Sequence, residues 1–282
     1  MQSSVCRDMR LFLVAAVAAV ATVSALTFED AIGRFCEEAP ADSDIEIEIN
    51  CRDSSKYSEL IQGELPNTIP KACKGKESRI KEFAVTRCEL TGTFPDWISS
   101  LTEVTALVVS GMSTGSVIET QLDFDITTAF SKLTKLTMLV IMSRLVTGDI
   151  TCAFSELTKL KTLFVVGPDL EGDISTAFSG LTELEYLAVR GDKLTGDKTC
   201  AFSELTKLKF LGVIGPSLKG EIECPTPFFS DAGFEFFTAA GEAKECKYKP
   251  DAESDCSPAS ARPTRCPTAG GAIKFVRMEP EE

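Results

Sequence analysis

Apolar residues recur along this chain with a period of 24 positions. The tripeptide Ala-Phe-Ser occurs four times at that spacing, centred on Phe130, Phe154, Phe178 and Phe202. Each copy continues with leucine or another aliphatic residue in the pattern Leu-x-x-Leu-x-x-Leu-x-Leu and closes on Leu-x-Gly-x-Ile or a near variant. A fixed period of this length predicts a solenoid, in which each repeat buries its apolar side against the next one.

Within one repeat, the apolar positions predict a short strand. Leu163 and Val165 alternate with Phe164 and Val166, which is the two-residue period of a strand. The other apolar residues of this repeat are expected to point inward from its remaining sides; they are Leu157, Leu160, Ile174 and Phe178. We therefore expect one strand per repeat, paired in parallel with the strand of the next repeat.

The same columns continue towards the N-terminus with irregular spacing. Segment 90–98 reads Leu-Thr-Gly-Thr-Phe-Pro-Asp-Trp-Ile, and segment 61–69 matches it at a lag of 29. Ile98 and Phe130 are 32 residues apart, so roughly eight extra residues are expected between Met112 and Gln121. The repeats then occupy residues 61–224 and make about six turns, four of them regular.

This pattern resembles the plant-type, extracellular leucine-rich repeat, a family that includes polygalacturonase-inhibiting proteins and the ectodomains of plant receptor kinases. The resemblance implies a leucine-rich-repeat solenoid of the α/β horseshoe type. Such a fold has a curved parallel β-sheet, short helical or irregular segments on the convex side, and a cap at each end. The chain departs from the family where an asparagine normally bonds to the backbone after each strand. That column here holds Cys88, Met112, Arg144, Pro168, Asp192 and Pro216, so a regular asparagine ladder is not expected.

The segments outside the repeats suggest export and capping. Residues 1–25 have the basic start, apolar run and small-residue end of a signal peptide, with cleavage expected after Ala25; an uncleaved signal anchor is the alternative. Residues 26–60 are expected to form an N-terminal cap, in which Ile45 to Ile49 alternate with glutamates as an edge strand would. Residues 225–246 contain an aromatic cluster expected to cap the other end, and residues 247–282 form a Pro/Ser-rich tail.

The cysteines agree with export. Removal of Cys6 with the signal leaves an even number, as expected for disulfides in an exported chain. We expect local pairs, namely Cys36–Cys51, Cys73–Cys88, Cys224–Cys246 and Cys256–Cys266. Cys152 and Cys200 occupy one column two repeats apart, roughly 10 Å at usual strand spacing, and are expected to be unpaired because a disulfide reaches about 7 Å between Cα atoms. Neither Asn50 nor Asn67 lies in a glycosylation sequon.

The composition argues against several functions. The chain has no histidine, so it lacks the commonest general base and metal ligand, and we expect no enzyme activity and no cofactor. Its net charge of −13 disfavours nucleic acids and anionic membranes as partners.

One acidic column also recurs with the repeat, at Asp125, Asp149, Asp173, Asp197 and Glu221. Such a column is a candidate for a calcium-binding ladder, because hard cations prefer oxygen ligands. We favour a row of solvated acids at turns, since no second carboxylate column completes the coordination, and we predict no metal site.

The strand positions that face away from the core are mostly apolar. In four successive repeats they are Met138, Val140 and Met142; Thr162, Phe164 and Val166; Tyr186, Ala188 and Arg190; and Phe210, Gly212 and Ile214. Nine of these twelve are apolar or aromatic, whereas outward strand positions of a soluble monomer are usually polar. An apolar patch of this kind typically marks an interaction site. The alternatives are that strand propensity alone selects these residues, or that the tail or the insertion covers them.

These observations predict a secreted protein that recognises an extracellular protein or peptide through its concave strand face. The residues expected to contact the partner are Met138, Val140, Met142, Phe164, Val166, Tyr186, Arg190, Phe210 and Ile214, with Tyr186, Arg190 and Phe210 as anchors. The alternative is a structural surface or wall component that self-assembles through the same face. The two differ in oligomeric state, because only the second hides the face in an ordered multimer.

Overall fold

A computed structural model of the protein describes residues 27–51, 63–111 and 120–219, apart from 203, 206 and 209. Its main feature is a parallel sheet of seven strands, with one strand from each successive coil of the chain. The strands are β1 (Ile45–Asn50), β3 (Ile80–Thr86), β5 (Ala106–Ser110), β7 (Met138–Met142), β9 (Thr162–Val166), β11 (Tyr186–Arg190) and β13 (Phe210–Ile214), and they lie in that order. The predicted leucine-rich-repeat solenoid is therefore confirmed.

Shorter strands pair in the same parallel sense elsewhere in each coil. The strands β6 (Phe124–Asp125), β8 (Val146–Asp149), β10 (Asp169–Asp173) and β12 (Lys193–Thr195) form a second sheet, and β2 (Gly63–Glu64) pairs with β4 (Leu90–Thr91). In the large sheet the register follows the repeat: Leu139, Leu163, Leu187 and Leu211 are successive partners. The 24-residue spacing of the sequence is thus the length of one coil.

The core is a set of columns that run along the solenoid. Phe130, Phe154, Phe178 and Phe202 are fully buried, and the rings of Phe130 and Phe154 stack with their centroids 6.4 Å apart. Leu157, Leu160, Ile174 and Phe178 are also fully buried, which confirms their predicted inward direction. Phe178 and Phe202 stack in the same way, 6.0 Å apart, so neighbouring coils share one core and no coil can bury its apolar side alone.

A ladder of carboxylates and hydroxyls joins the coils beside the second sheet. Three short helices, α2 (Ile150–Ala153), α3 (Ile174–Ala177) and α4 (Lys198–Ala201), follow β8, β10 and β12. Asp149 Oδ1 accepts a hydrogen bond of 2.8 Å from the Thr151 amide and so caps α2. Thr151 Oγ1 then accepts one of 3.0 Å from the Asp173 amide of the next coil.

The same pair of bonds recurs in the neighbouring coils. Asp125 accepts from the Thr127 amide, and Asp173 accepts from the Ser175 amide. Thr127 and Ser175 in turn accept from the Asp149 and Asp197 amides, both at 3.0 Å. This ladder satisfies backbone amides as the missing asparagine column would have done, but at a different position in the coil.

The described chain begins with an amphipathic helix, α1 (Phe28–Glu38), which packs against β1 and a 3₁₀ turn at Lys71–Cys73. Its first turn is closed by a capping box, in which the Asp30 amide donates to Thr27 Oγ1 and the Asp30 carboxylate accepts from Thr27. The hydrogen bond from the Thr27 hydroxyl lowers the pKa of Asp30 below its ordinary value.

The first two disulfides join neighbouring coils, so the predicted pairs Cys36–Cys51 and Cys73–Cys88 are wrong. The bonds are Cys36–Cys73 and Cys51–Cys88, with Cα atoms 5.1 and 5.0 Å apart. The cause is the strand register. Asn50 pairs with Thr86, so Cys51 emerges from β1 beside the residues that follow β3. The cysteines closest along the chain are separated by a strand, since β1 lies between Cys36 and Cys51 and β3 between Cys73 and Cys88.

Cys152 also corrects the sequence analysis, because it is disulfide-bonded and not unpaired. Every other cysteine whose side chain is described pairs within the first two coils, so the partner of Cys152 is not among the described cysteine side chains. The spacing argument considered only Cys200 as a partner; Cys152 itself lies on the helical side of the coil, in α2. The predicted pairs Cys224–Cys246 and Cys256–Cys266 lie outside the described residues, as does the side chain of Cys200.

The residues that flank the insertion meet in a tight contact. A Cβ atom placed on Gly111 would lie 1.9 Å from Thr120 Oγ1, so the residues on either side of segment 112–119 are neighbours. Thr120 and Ser143 are both fully buried here; Ser143 Oγ donates to the Thr120 carbonyl and accepts from the Leu122 amide. These bonds fix the junction inside the coil.

Neither the signal peptide nor the C-terminal segments can be compared with the structure. Residues 1–25, the cap at 225–246 and the tail at 247–282 lie outside the described residues. Among the residues that are described, no helix is long and apolar enough to cross a membrane.

Candidate functional site: the outer sheet face

The outward positions of the seven strands form three columns, which we call the outer sheet face. The first column holds Glu46, Glu82, Ala106, Met138, Thr162, Tyr186 and Phe210. The second holds Glu48, Ala84, Val108, Val140, Phe164, Ala188 and Gly212, and the third holds Asn50, Thr86, Ser110, Met142, Val166, Arg190 and Ile214. Every predicted contact residue belongs to one of these columns.

The middle of this face exposes apolar side chains. Met138 and Tyr186 are 39% and 40% exposed, which makes them two of the three most exposed large apolar residues of the described chain. Val140 and Phe164 lie beside them in the second column and are half-buried, as is Thr162, which lies in register between Met138 and Tyr186. Leu163 and Val165 on the opposite side of β9 are buried. The two faces of the strand therefore differ as the alternation predicted, and the outer one presents an apolar band in which Thr162 is the polar member.

Two predicted contact residues are not accessible, which corrects the sequence analysis. Met142 is fully buried and Val166 is 2% exposed, although both occupy outward positions. Val166 lies in register between the longer side chains of Met142 and Arg190, and Ser110 Oγ donates to Met142 Sδ across 3.7 Å. Alternation gives the direction of a side chain but not the size of its neighbours, so these two positions support the face without forming its surface.

The remaining predicted residues fall into two groups. Arg190 and Ile214 are half-buried at the end of the third column. Phe210 begins β13 and continues the column of Tyr186, but its side chain lies outside the described part of the chain. Ala188, which was an outward position without a predicted role, is buried beside Phe164.

Sequence reasoning placed the glutamates of β1 on an edge strand but missed that they form an acidic end of the outer sheet face. Glu46 and Glu48 on β1 and Glu82 on β3 occupy outward positions and are exposed. The sequence contained the alternating pattern that could have shown this. Phe83 and Val85 point inward, and they alternate with Glu82 and Ala84, which point outward. The irregular spacing of these coils hid their relation to the regular repeats.

Ion pairs line the edge where the strands begin. Glu103 accepts hydrogen bonds of 2.6 and 2.5 Å from Lys135 Nζ, and Lys81 Nζ lies 3.5 Å from the same carboxylate. The Lys135 hydrogen bond is the main cause of the lowered pKa of Glu103. Further along this edge Lys207 pairs with Glu183 at 2.6 Å. These pairs join neighbouring coils beside the face.

The acidic column, a candidate calcium ladder by its sequence, has a structural role in its described members, whereas Glu221 lies outside the described residues. Asp125, Asp149 and Asp173 each use Oδ1 to accept a hydrogen bond from the amide two residues later. Neighbouring members lie in successive coils and face hydroxyls of Thr127, Thr151 and Ser175 rather than other carboxylates. In the described ranges, no three acidic or sulfur ligands converge on a point that fits a metal ion.

The sequence matches no family model and no curated protein, whereas several solved structures are similar in fold. The leucine-rich-repeat ectodomain of the receptor kinase SOBIR1 from Arabidopsis thaliana is 22% identical, with a TM-score of 0.42 over 52% of this chain and 74% of that chain. Internalin C2 from Listeria monocytogenes is 15% identical, with a TM-score of 0.37 over 70% and 93%. The plant peptide hormone receptor RGFR1, solved with RGF2, is 22% identical, with a TM-score of 0.42, and this chain spans 27% of its length.

Proposed function

We propose that this chain is an exported leucine-rich-repeat protein that recognises a protein or peptide through its outer sheet face. The observation that carries the proposal is the exposed apolar band formed by Met138, Val140, Phe164 and Tyr186. Water-facing sheet surfaces are normally polar, and a contiguous apolar patch on such a surface typically marks a binding site.

The architecture supports recognition in a second way. The side chains of the face project from hydrogen-bonded strands, and their coils are joined by core columns and by the carboxylate–hydroxyl ladder. A binding surface built on such rigid elements loses little conformational entropy when a partner docks. Tyr186 and Arg190 sit on one strand, and aromatic and arginine side chains contribute most to binding when a partner covers them.

Export is supported by the N-terminal signal pattern and by the disulfides. Cys36–Cys73 and Cys51–Cys88 are bonds that form and persist in oxidising compartments. An extracellular protein or peptide is therefore the expected partner. Inhibition of a foreign enzyme, the activity of the polygalacturonase-inhibiting proteins that the sequence resembles, is one example within this class of recognition.

The proposal is tested by removing the apolar band. A displayed library of random peptides is selected on the full chain and on the double variant Met138→Ser/Tyr186→Ser. We expect the peptides recovered by the native chain to bind the double variant at least about tenfold more weakly, because two side chains at the centre of the contact are lost. Leu145→Ser is the matched control, since Leu145 is 44% exposed but lies between β7 and β8, outside the columns.

Light scattering on the same three proteins distinguishes the alternative. A native chain that is monomeric and binds peptides through the band supports recognition. A native chain that forms an ordered multimer, which the double variant dissolves and Leu145→Ser does not, identifies the face as a self-assembly surface instead. Peptides that bind all three proteins equally well contradict the proposed function.

A further inference from the structure

The outer sheet face changes character along the order of its strands. Its first two strands present the exposed carboxylates of Glu46, Glu48 and Glu82. From β5 to β11 the second column runs through Val108, Val140 and Phe164, flanked in the first column by Met138 and Tyr186. One end of the face is therefore anionic and the middle is apolar.

The anionic end has no internal counter-charge in the described structure. Glu46 and Glu82 are register partners on adjacent strands, about 4.8 Å apart at the usual strand spacing. Their two negative charges therefore lie side by side on the same face of the sheet. The two described cations nearest in sequence to Glu82 are engaged elsewhere. Lys81 Nζ donates to the Ser78 carbonyl at 2.9 Å and lies near Glu103, and Arg79 Nε donates to the Ser43 carbonyl at 2.8 Å.

Protection of a sheet edge does not account for this arrangement. Charged residues on an edge strand discourage pairing with another chain, and β1 is the first strand of the sheet. Glu82, however, belongs to β3, which is paired with β1 on one side and β5 on the other. Its outward carboxylate protects no edge, and a cationic ligand placed over this part of the face would relieve its repulsion of Glu46.

We propose that the partner is an extended polypeptide segment with a cationic end, lying across the strands. Lysine or arginine side chains at that end pair with Glu46, Glu48 and Glu82, and apolar side chains further along cover Val140, Phe164 and Tyr186. This inference rests on the proposed function of the face. It specifies the chemistry of the ligand and also its orientation. Only one orientation along the solenoid places the cationic end on the glutamates and the apolar side chains on the apolar band.

The sheet spacing sets the distance between the two parts of the segment. Glu82 on β3 and Phe164 on β9 are three strands apart, which is about 14 Å at the usual strand spacing. An extended chain advances about 3.3 Å per residue, so roughly four residues separate the cationic side chains from the first large apolar one. The net charge of −13 adds a long-range attraction for such a segment.

The test repeats the peptide selection on a charge variant. Glu46→Gln/Glu48→Gln/Glu82→Gln keeps the shape of the acidic end and removes its charge. Glu37→Gln/Glu156→Gln/Glu171→Gln removes the same three charges from exposed positions away from the face and serves as the control. From the native chain and the control we expect peptides with lysine or arginine about four residues from a large apolar residue.

The affinity of those peptides supplies the quantitative readout. We expect about a tenfold loss on the Glu46/Glu48/Glu82 variant in low salt, and a smaller difference near 0.5 M salt, where exposed charges are screened. Peptides without a cationic end, or with unchanged affinity for this variant, overturn the inference. If those peptides still depend on Met138 and Tyr186, the proposed function stands without it. If they depend on neither, both proposals fail.

Discussion

Gly172 lies against the carboxylate of Asp149 in the preceding coil, so closely that a Cβ atom on Gly172 would come 2.3 Å from Asp149 Oδ1. The same contact joins Gly148 to Asp125 at 2.4 Å and Gly196 to Asp173 at 2.1 Å. All three glycines have positive φ, 116° at Gly172, which side chains disfavour. The Gly-Asp step that closes each repeat is therefore required by the way the coils stack.

Gly172→Ala is expected to destabilise the protein by about 2 kcal/mol or more, because it adds a clash to an unfavourable backbone conformation. Urea unfolding measures the change. Gly180→Ala is the control: nothing lies within 4 Å of its added Cβ, and its φ is not positive, so its stability should change little. Equal losses for the two variants would contradict this account of the contact.

Thr151→Val is expected to cost about 1 kcal/mol, because it leaves the Asp173 amide without the hydroxyl that accepts its hydrogen bond. The substitution preserves shape, so packing should change little. Thr151→Ser keeps the acceptor and should retain most of the stability. Chemical denaturation of the three proteins tests the prediction, which fails if Val and Ser behave alike.

Phe154→Ala is expected to lose about 3–5 kcal/mol, because the ring is fully buried and stacks on Phe130. Phe164→Ala, on the half-buried outer face, should lose clearly less. Thermal unfolding followed by circular dichroism compares them. A larger loss at Phe164 would show that the outer face, and not the phenylalanine column, provides the packing that holds the coils.

Cys51→Ser/Cys88→Ser is expected to destabilise the first coils by about 4 kcal/mol, since the bond closes a loop between residues 37 apart. Peptide mapping under non-reducing conditions should recover Cys36 with Cys73 and Cys51 with Cys88. Recovery of Cys36 with Cys51 would overturn the assigned connectivity. A double variant that melts like the native chain would show that packing of α1 alone holds this end.

The capping box makes stability depend on pH. The Thr27 hydroxyl lowers the pKa of Asp30 from its ordinary value of 3.8, so the ionised form is favoured in the folded chain. This contribution is present above that value and is lost as the pH falls through the lower folded pKa. Unfolding between about pH 6 and pH 3 should show the stability advantage of the native chain over Asp30→Asn shrinking. A constant difference contradicts this assignment.

The repeat could be predicted from the sequence because each regular coil contains 24 residues, so equivalent core residues recur at that lag. Phe130 to Phe202 and the leucines of the strands therefore appear at one lag in the chain and at one place in the structure. The direction of Phe164 and Val165 followed from alternation for the same reason. Periodicity reflects the local geometry of a single strand or coil, so it can be recognised in the sequence alone.

Features that depend on contacts between irregular coils could not be read in this way. The disulfide from Cys51 to Cys88 follows from the pairing of β1 with β3, whose register shifts between Ile45 and Glu46. The burial of Met142 and Val166 depends on which side chains flank them across the sheet. The role of Asp149 depends on a hydroxyl and an amide in different coils, so its column resembled a row of free acids.

The contact between Gly111 and Thr120 marks a position where the length of the chain can vary without disturbing the solenoid. Ala106 pairs with Met138 at a separation of 32, and the excess over one coil is accounted for by residues 112–119, whose two ends meet at this contact. Segments of other lengths can be exchanged there while every strand keeps its partner. The length of this segment can therefore change in a single genetic step without changing how the neighbouring coils pair.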